Sequence, residues 1–157
     1  MQLKIVTALF ITFLTISTVN AMSLFDAGTI CTFSSVRAKV THNGEPVRGA
    51  EVTRITRFKD TVTDVTSTDD SGAFSFPANF SRSVKKFLPM EIVITQQILV
   101  NYQGKSYEIW ANGKMNSEED SELGGLPIDL SCELTEEPRT FRSSGSLILT
   151  NFHWDKE

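Results

Sequence analysis

From Met22 onward the apolar residues recur at every second position almost throughout, the period of a strand with one buried face. Cys31 and Phe33 share one parity, while Val36, Ala38 and Val40 share the other, so Ser34-Ser35 is expected to form a bulge or bend. Asn43-Gly44, Pro46 and Gly49 supply turn chemistry, after which Ala50 and Val52 resume an inward face. A long strand region, "TRFKDTVTDVTSTDD", follows and ends in an Asp-Asp-Ser-Gly turn. Phe74 and Phe76 then share a face, and Pro77 stops that strand. "MEIVITQQILVNYQGKSYEIWA" reads as a hairpin turning at Gln103-Gly104. In "PIDLSCEL", Ile128, Leu130, Cys132 and Leu134 alternate with polar residues. The last strand, "SLILTNFHW", sets Ile148, Phe152 and Trp154 against Leu147 and Leu149.

Short strands at this spacing predict an all-β fold, a two-sheet β-sandwich of about seven to eight strands. One short helical turn is expected near residues 117–123, capped by Ser117 and ended by Gly124 or Gly125. No internal repeat or linker divides the chain.

The first twenty-one residues read differently. Lys4 precedes an apolar run from Ile5 to Ile16, and Val19-Asn20-Ala21 follows in the manner of a signal-peptidase site. That run is about twelve residues, short of the roughly twenty that span a bilayer. Residues 1–21 are therefore expected to be a signal peptide cut after Ala21, with a single domain over 22–157 that is periplasmic or secreted. No lipoprotein cysteine follows the cut, since Met22 stands there.

Charge narrows the partners. The chain carries 15 basic and 19 acidic residues, a net charge of −4. Loss of Lys4 leaves 14 against 19, or −5. An acidic domain repels phosphate backbones, which argues against nucleic acid. No second segment suits stable membrane insertion. The two cysteines, Cys31 and Cys132, are expected to pair in an oxidising compartment. Such a bridge would close a loop of about one hundred residues, worth up to about 4.7 kcal/mol in the chain-entropy picture.

"VRAKVTHNGEPVRGAEVTR", followed by "TSTDDSGAFSFP", resembles the carboxypeptidase regulatory-like, or transthyretin-like, domain over about residues 34–80. The matching positions are Val40, Gly44, Pro46, Gly49, Ala50, Val52, Thr68, Asp69, Gly72, Phe74 and Phe76. The resemblance implies a sandwich in which the turn through "HNGEPVRGAEV" is scaffold, and it says little of activity because that fold serves many roles. The second half is similar to a bacterial family of small exported proteins built on this domain.

No catalytic set stands out. The transthyretin-like hydrolases use histidines, an arginine and a C-terminal Tyr-Arg-Gly-Ser, whereas this chain ends "HWDKE". His42 and His153 lack an evident partner for acid–base work, and no nucleophile elbow, zinc motif or EF-hand spacing occurs. Neither a cofactor nor a metal is implied. The acidic run Glu118, Glu119, Asp120 and Glu122 reads as a solvated loop. With Arg82, Lys85 and Lys86 in a basic loop, and Tyr107 and Trp110 as aromatic anchors, Glu118, Glu119 and Asp120 make a candidate partner surface. The expected function is a non-enzymatic exported binding module that engages a protein partner through loops and an edge strand. An immunity-type inhibitor of a periplasm-acting toxin is the alternative, and a transthyretin-like hydrolase the remote one.

Overall fold

A computed structural model of the chain describes residues 28–83, 91–143 and 146–153. The expected signal peptide, Lys85, Lys86 and Trp154 lie outside the described residues. Within them the chain is nearly all β, as the period-two pattern requires. It forms thirteen strands in three sheets, against the expected seven or eight in two. The strands are β1 Thr29–Phe33, β2 Val36–His42, β3 Glu45–Pro46, β4 Glu51–Arg57, β5 Thr61–Ser67, β6 Ala73–Phe76 and β7 Asn79–Arg82. After these come β8 Ile94–Tyr102, β9 Lys105–Lys114, β10 Ile128–Glu133, β11 Arg139–Ser143, β12 Ser146–Thr150 and β13 Phe152–His153.

Three sequence regions divide where one strand was expected. The Ser34-Ser35 break carries the chain from β1, paired with β7, into β2 of the five-stranded sheet. Phe58 to Asp60 turn the threonine-rich region into the β4–β5 hairpin. Asn151 splits the last strand: β12 joins β9, and β13 joins β10. The five-stranded sheet runs β13-β10-β2-β3 with β6 also on β2. The six-stranded sheet runs β11-β12-β9-β8-β4-β5. β10 and β2 are parallel, Ile128 opposite Val36 and Cys132 opposite Val40.

Both large sheets bury their apolar faces in one core. Val36, Ala38, Val40, Phe74 and Leu130 come from one sheet, and Val52, Ile98, Val100, Trp110 and Ile148 from the other. The turns predicted from sequence are in place. Asn43 and Gly44 have φ of 53° and 79°, and Gln103 and Gly104 have 51° and 74°, the doubly left-handed geometry that closes two-residue hairpins. Gly72 is required for a stronger reason, because a Cβ there would lie 2.3 Å from the Val40 carbonyl oxygen. Glu133 fastens the first of these turns to the end of β10. Its carboxylate accepts from the Asn43 and Gly44 amides (2.9 and 3.0 Å) and from the Thr41 and Thr135 hydroxyls (2.9 and 2.6 Å). These bonds hold the Asn43-Gly44 turn against the end of β10.

The expected disulfide is absent: Cys31 and Cys132 are both free and buried. The topology keeps them apart. Cys132 lies on β10 beside Val40, whereas Cys31 lies on β1, which pairs with β7 in a separate sheet. A bridge needs α-carbons within about 7 Å. Each thiol instead fills a separate part of the interior. Cys31 lies by the Ser34 hydroxyl at 3.8 Å, and Cys132 packs within the common core.

The expected helical turn exists as a single 3-10 turn, Ser121–Leu123. Its flanks are the left-handed residues Asp120 and Gly124, and Ser117 does not cap it.

Candidate functional site

Among the described residues the six-stranded sheet ends at β5, which has β4 on one side and no strand on the other. Its sequence, Thr-Val-Thr-Asp-Val-Thr-Ser, is β-branched at five of seven positions, so it stays extended with little help from packing. Both faces are largely open, with Val62 46% and Val65 59% exposed. The Thr68 amide donates to the Ala50 carbonyl just beyond the pairing of Ser67 with Glu51. Antiparallel alternation then turns the backbone groups of Val62, Asp64 and Thr66 toward β4, and those of Thr61, Thr63, Val65 and Ser67 outward. No proline, bulge or lysine within the strand blunts this edge.

Two anchors stiffen it. Arg54 on β4 is fully buried, with its guanidinium over the Phe33 and Phe76 rings at 5.3 and 4.7 Å. It donates to Asp64 Oδ2 on β5 from Nε and Nη2 (3.1 and 2.8 Å), and to the Pro77 carbonyl. Burial pulls Arg54 below the usual guanidinium range and acts to push Asp64 up. Asn79 and Arg54 nevertheless hold the Asp64 carboxyl below its ordinary value. The second anchor is β7. Asn79 donates to Asp64 (2.8 Å), and Lys59 in the β4–β5 turn donates to the Arg82 carbonyl. These bonds tie the start of β7 to β5 and its end to the preceding turn, while Phe80 and Arg82 remain exposed.

The surface residues expected from sequence do not form one patch. Arg82 flanks β5, and Glu118 and Glu119 are exposed on the loop after β9. Asp120 is half-buried, and its amide donates to the Ser34 hydroxyl. Tyr107 packs against the core while Lys105 rests on its ring at 4.5 Å. Trp110 is no surface anchor, because it is fully buried between Phe33 and Phe152. The β8–β9 register slips between Ile98 and Leu99, and this bulge turns both Ile109 and Trp110 inward. Strict alternation could not foresee that.

Glu122 also departs from the expected solvated loop. It is fully buried and bound by the Ser34 amide (3.0 Å), the Ser34 hydroxyl (2.6 Å) and the Gln96 amide (2.8 Å). Lys114 lies 3.0 Å from it, equally buried. Burial acts to raise the Glu122 carboxyl, but Lys114, Ser34 and Gln96 together hold it below the usual carboxylate range. Sealed from solvent, this network fixes the 115–122 loop against β1 and offers nothing to a substrate. One signal could have found it: Lys114 falls on the inward parity of β9, opposite Ile94.

The histidines sit apart from this. His153 Nε2 lies 2.5 Å from the Glu136 carboxylate, and Arg139 reaches the same ring; all three are exposed. His42 contacts the Tyr102 ring at the mouth of the hairpins. Among the described residues, no group of three or more His, Cys, Asp or Glu is arranged to hold a metal ion.

The sequence profile of a domain family described as being of unknown function, DUF6795, matches residues 36–137. No curated protein and no solved structure gives a significant match.

Proposed function

We propose that this chain, which belongs to the DUF6795 family, is an exported, non-enzymatic binding module that engages a protein partner by strand addition on β5. The single observation carrying this reading is the edge: four residues, Thr61, Thr63, Val65 and Ser67, whose backbone groups face no strand among the described residues. Natural sheets usually blunt such an edge, because an open one templates pairing with another chain. An edge left open, stiffened by the Arg54–Asp64 ion pair and flanked by exposed apolar side chains, suits main-chain recognition. Val62 and Val65 would receive alternate side chains of the added strand, while Phe80 and Arg82 extend the contact to the neighbouring loop. A two-sheet, transthyretin-like sandwich is the finer architecture that accords with the shared core. The apolar segment before Met22 favours export of the domain through a cleaved signal.

A photo-crosslinking side chain at Val62 tests this in cell-envelope extract. A discrete adduct with one other protein is expected, and Thr63→Pro should abolish it. That substitution removes an outward donor and leaves the β4 ladder intact. No adduct, an adduct indifferent to Thr63→Pro, or one of twice the chain's own mass would each overturn a foreign partner at this edge.

A further inference from the structure

The turn that joins β2 to β3 carries chemistry of its own. Asn43 and Gly44 are exposed at its tip, with φ of 53° and 79°. An asparagine followed by glycine can close on itself, because the next backbone nitrogen attacks the side-chain amide carbon and no glycine side chain hinders it. The space around Gly44 is open, since a Cβ there would meet nothing within 4 Å. The sequence holds the same pair once more, at Asn112-Gly113, in a different setting. Asn112 is 4% exposed, its Nδ2 donates to Gln96 Oε1 at 2.9 Å, and Gly113 pairs with Thr95 in the β8–β9 ladder.

Closing the five-membered ring at Asn43 needs rotation about its Cα–C bond, the torsion between its own nitrogen and that of Gly44. Glu133 holds both nitrogens. Its Oε1 accepts from the Asn43 amide at 2.9 Å and its Oε2 from the Gly44 amide at 3.0 Å. Burial acts to raise this carboxyl, yet donors from Thr135, Gly44 and Thr41 hold it at about 2. So acidic a group accepts the Gly44 hydrogen bond without drawing off the proton, which makes it a catch and not a base.

We propose that Asn43 is a self-modification site, losing ammonia through a cyclic imide with Gly44, and that Glu133 is the catch that sets its rate. In this step a bond forms between the Gly44 nitrogen and Asn43 Cγ, and the Cγ–Nδ2 bond breaks. The Gly44 proton leaves with Nδ2 as ammonia, carried by water or by His42, whose Nδ1 lies 3.3 Å from Nδ2. Water then opens the imide to aspartate or isoaspartate at position 43. Either product puts a second carboxylate on the turn that Glu133 grips, and like charges loosen that grip. The site lies in the five-stranded sheet and does not depend on the edge-strand reading.

Peptide mapping by mass spectrometry, after incubation of the full chain in mildly alkaline buffer, follows both Asn-Gly pairs at once. A free peptide of residues 41–46 sets the unrestrained rate. Asn43 in the native protein should convert more slowly than the peptide by about tenfold or more, the factor that one hydrogen bond to a charged group carries. Asn112 should stay intact. Glu133→Gln removes one of the two acceptors and should speed Asn43 severalfold, and Glu133→Ala removes both and should bring it close to the peptide. Gly44→Ala should slow the conversion. Asn112 also reports on the fold: its conversion in Glu133→Ala would mark an unfolded variant, and Glu133→Gln then decides. A native rate equal to that of the peptide, a rate indifferent to both Glu133 variants, conversion undiminished by Gly44→Ala, or Asn112 reacting before Asn43 would overturn the proposal.

Discussion

Removing Glu122 is the most revealing single perturbation of the interior. Glu122→Ala deletes the acceptor for the Ser34 amide and hydroxyl and for the Gln96 amide, and it strands Lys114 without its counter-ion. Both members of the pair are almost wholly inaccessible, so solvent cannot replace what is lost. Breaking a buried ion pair from one side costs about 3–5 kcal/mol. The three orphaned protons of Ser34 and Gln96 argue for the upper half of that span. Urea denaturation should show this loss as a fall in midpoint at unchanged slope. The double variant Glu122→Leu, Lys114→Met removes both charges together and should recover more than half of the loss, since a buried pair is often no better than apolar residues of similar volume. The wild type adds a check by pH. The Glu122 carboxyl is held below its ordinary value, so its contribution is present above the unfolded pKa and is lost as pH falls through the lower folded one. A single variant within about 1 kcal/mol of wild type, or a double variant no better than the single, would refute the view that this network holds the loop.

Three further outcomes follow. Glu133 has its carboxyl held at about 2; burial opposes this shift, and donors from Thr135, Gly44 and Thr41 produce it. Its stabilisation should therefore be complete above about 4.5 and disappear as pH falls toward about 2. Glu133→Gln should flatten that acid limb in a pH series of urea midpoints, at a cost of about 1–2 kcal/mol near neutral pH once partial exposure is discounted. Gly72→Ala should cost about 3 kcal/mol or more in the same denaturation assay, through left-handed strain and the contact with Val40 oxygen. Gly104→Ala, at similar φ in open space, should cost only about 1 kcal/mol. Thiol titration should find no fast-reacting cysteine in the native protein and two in denaturant without reductant. Burial raises both thiols, Cys132 to about 12, and no bridge joins them.

Much of the fold was legible because alternation and turn chemistry are local. The period of two fixed the class, and Asn43-Gly44, Gln103-Gly104 and Gly72 marked turns that only left-handed residues make cheaply. What failed was non-local. The bulge that inverts Trp110 depends on how β8 meets β9, and the Asn151 break that sends the chain between sheets is invisible to a window of nine residues. The disulfide was inferred from compartment and inward parity, and both cysteines do turn inward, but β1 leaves for a separate sheet with β7 while β10 pairs with β2, and the two thiols stay free. The edge at β5 was hidden for a similar reason. A threonine-valine run looks the same whether central or terminal in a sheet, and only the pairing order shows that no described strand follows it. The charged loops were readable as charge but not as burial. Glu122, one of four acidic residues in a short run, is the one that turns inward.

Amide hydrogen exchange along β5, resolved residue by residue, tests the central claim most directly. In the free protein the amides of Val62, Asp64 and Thr66 should be protected by β4, while those of Thr63, Val65 and Ser67 exchange within the time of an unprotected strand edge. In the complex captured at this edge, the second set should become protected as well. Protection of Thr63 and Val65 in the free chain, or no gain at either amide on partner binding, would contradict strand addition on β5.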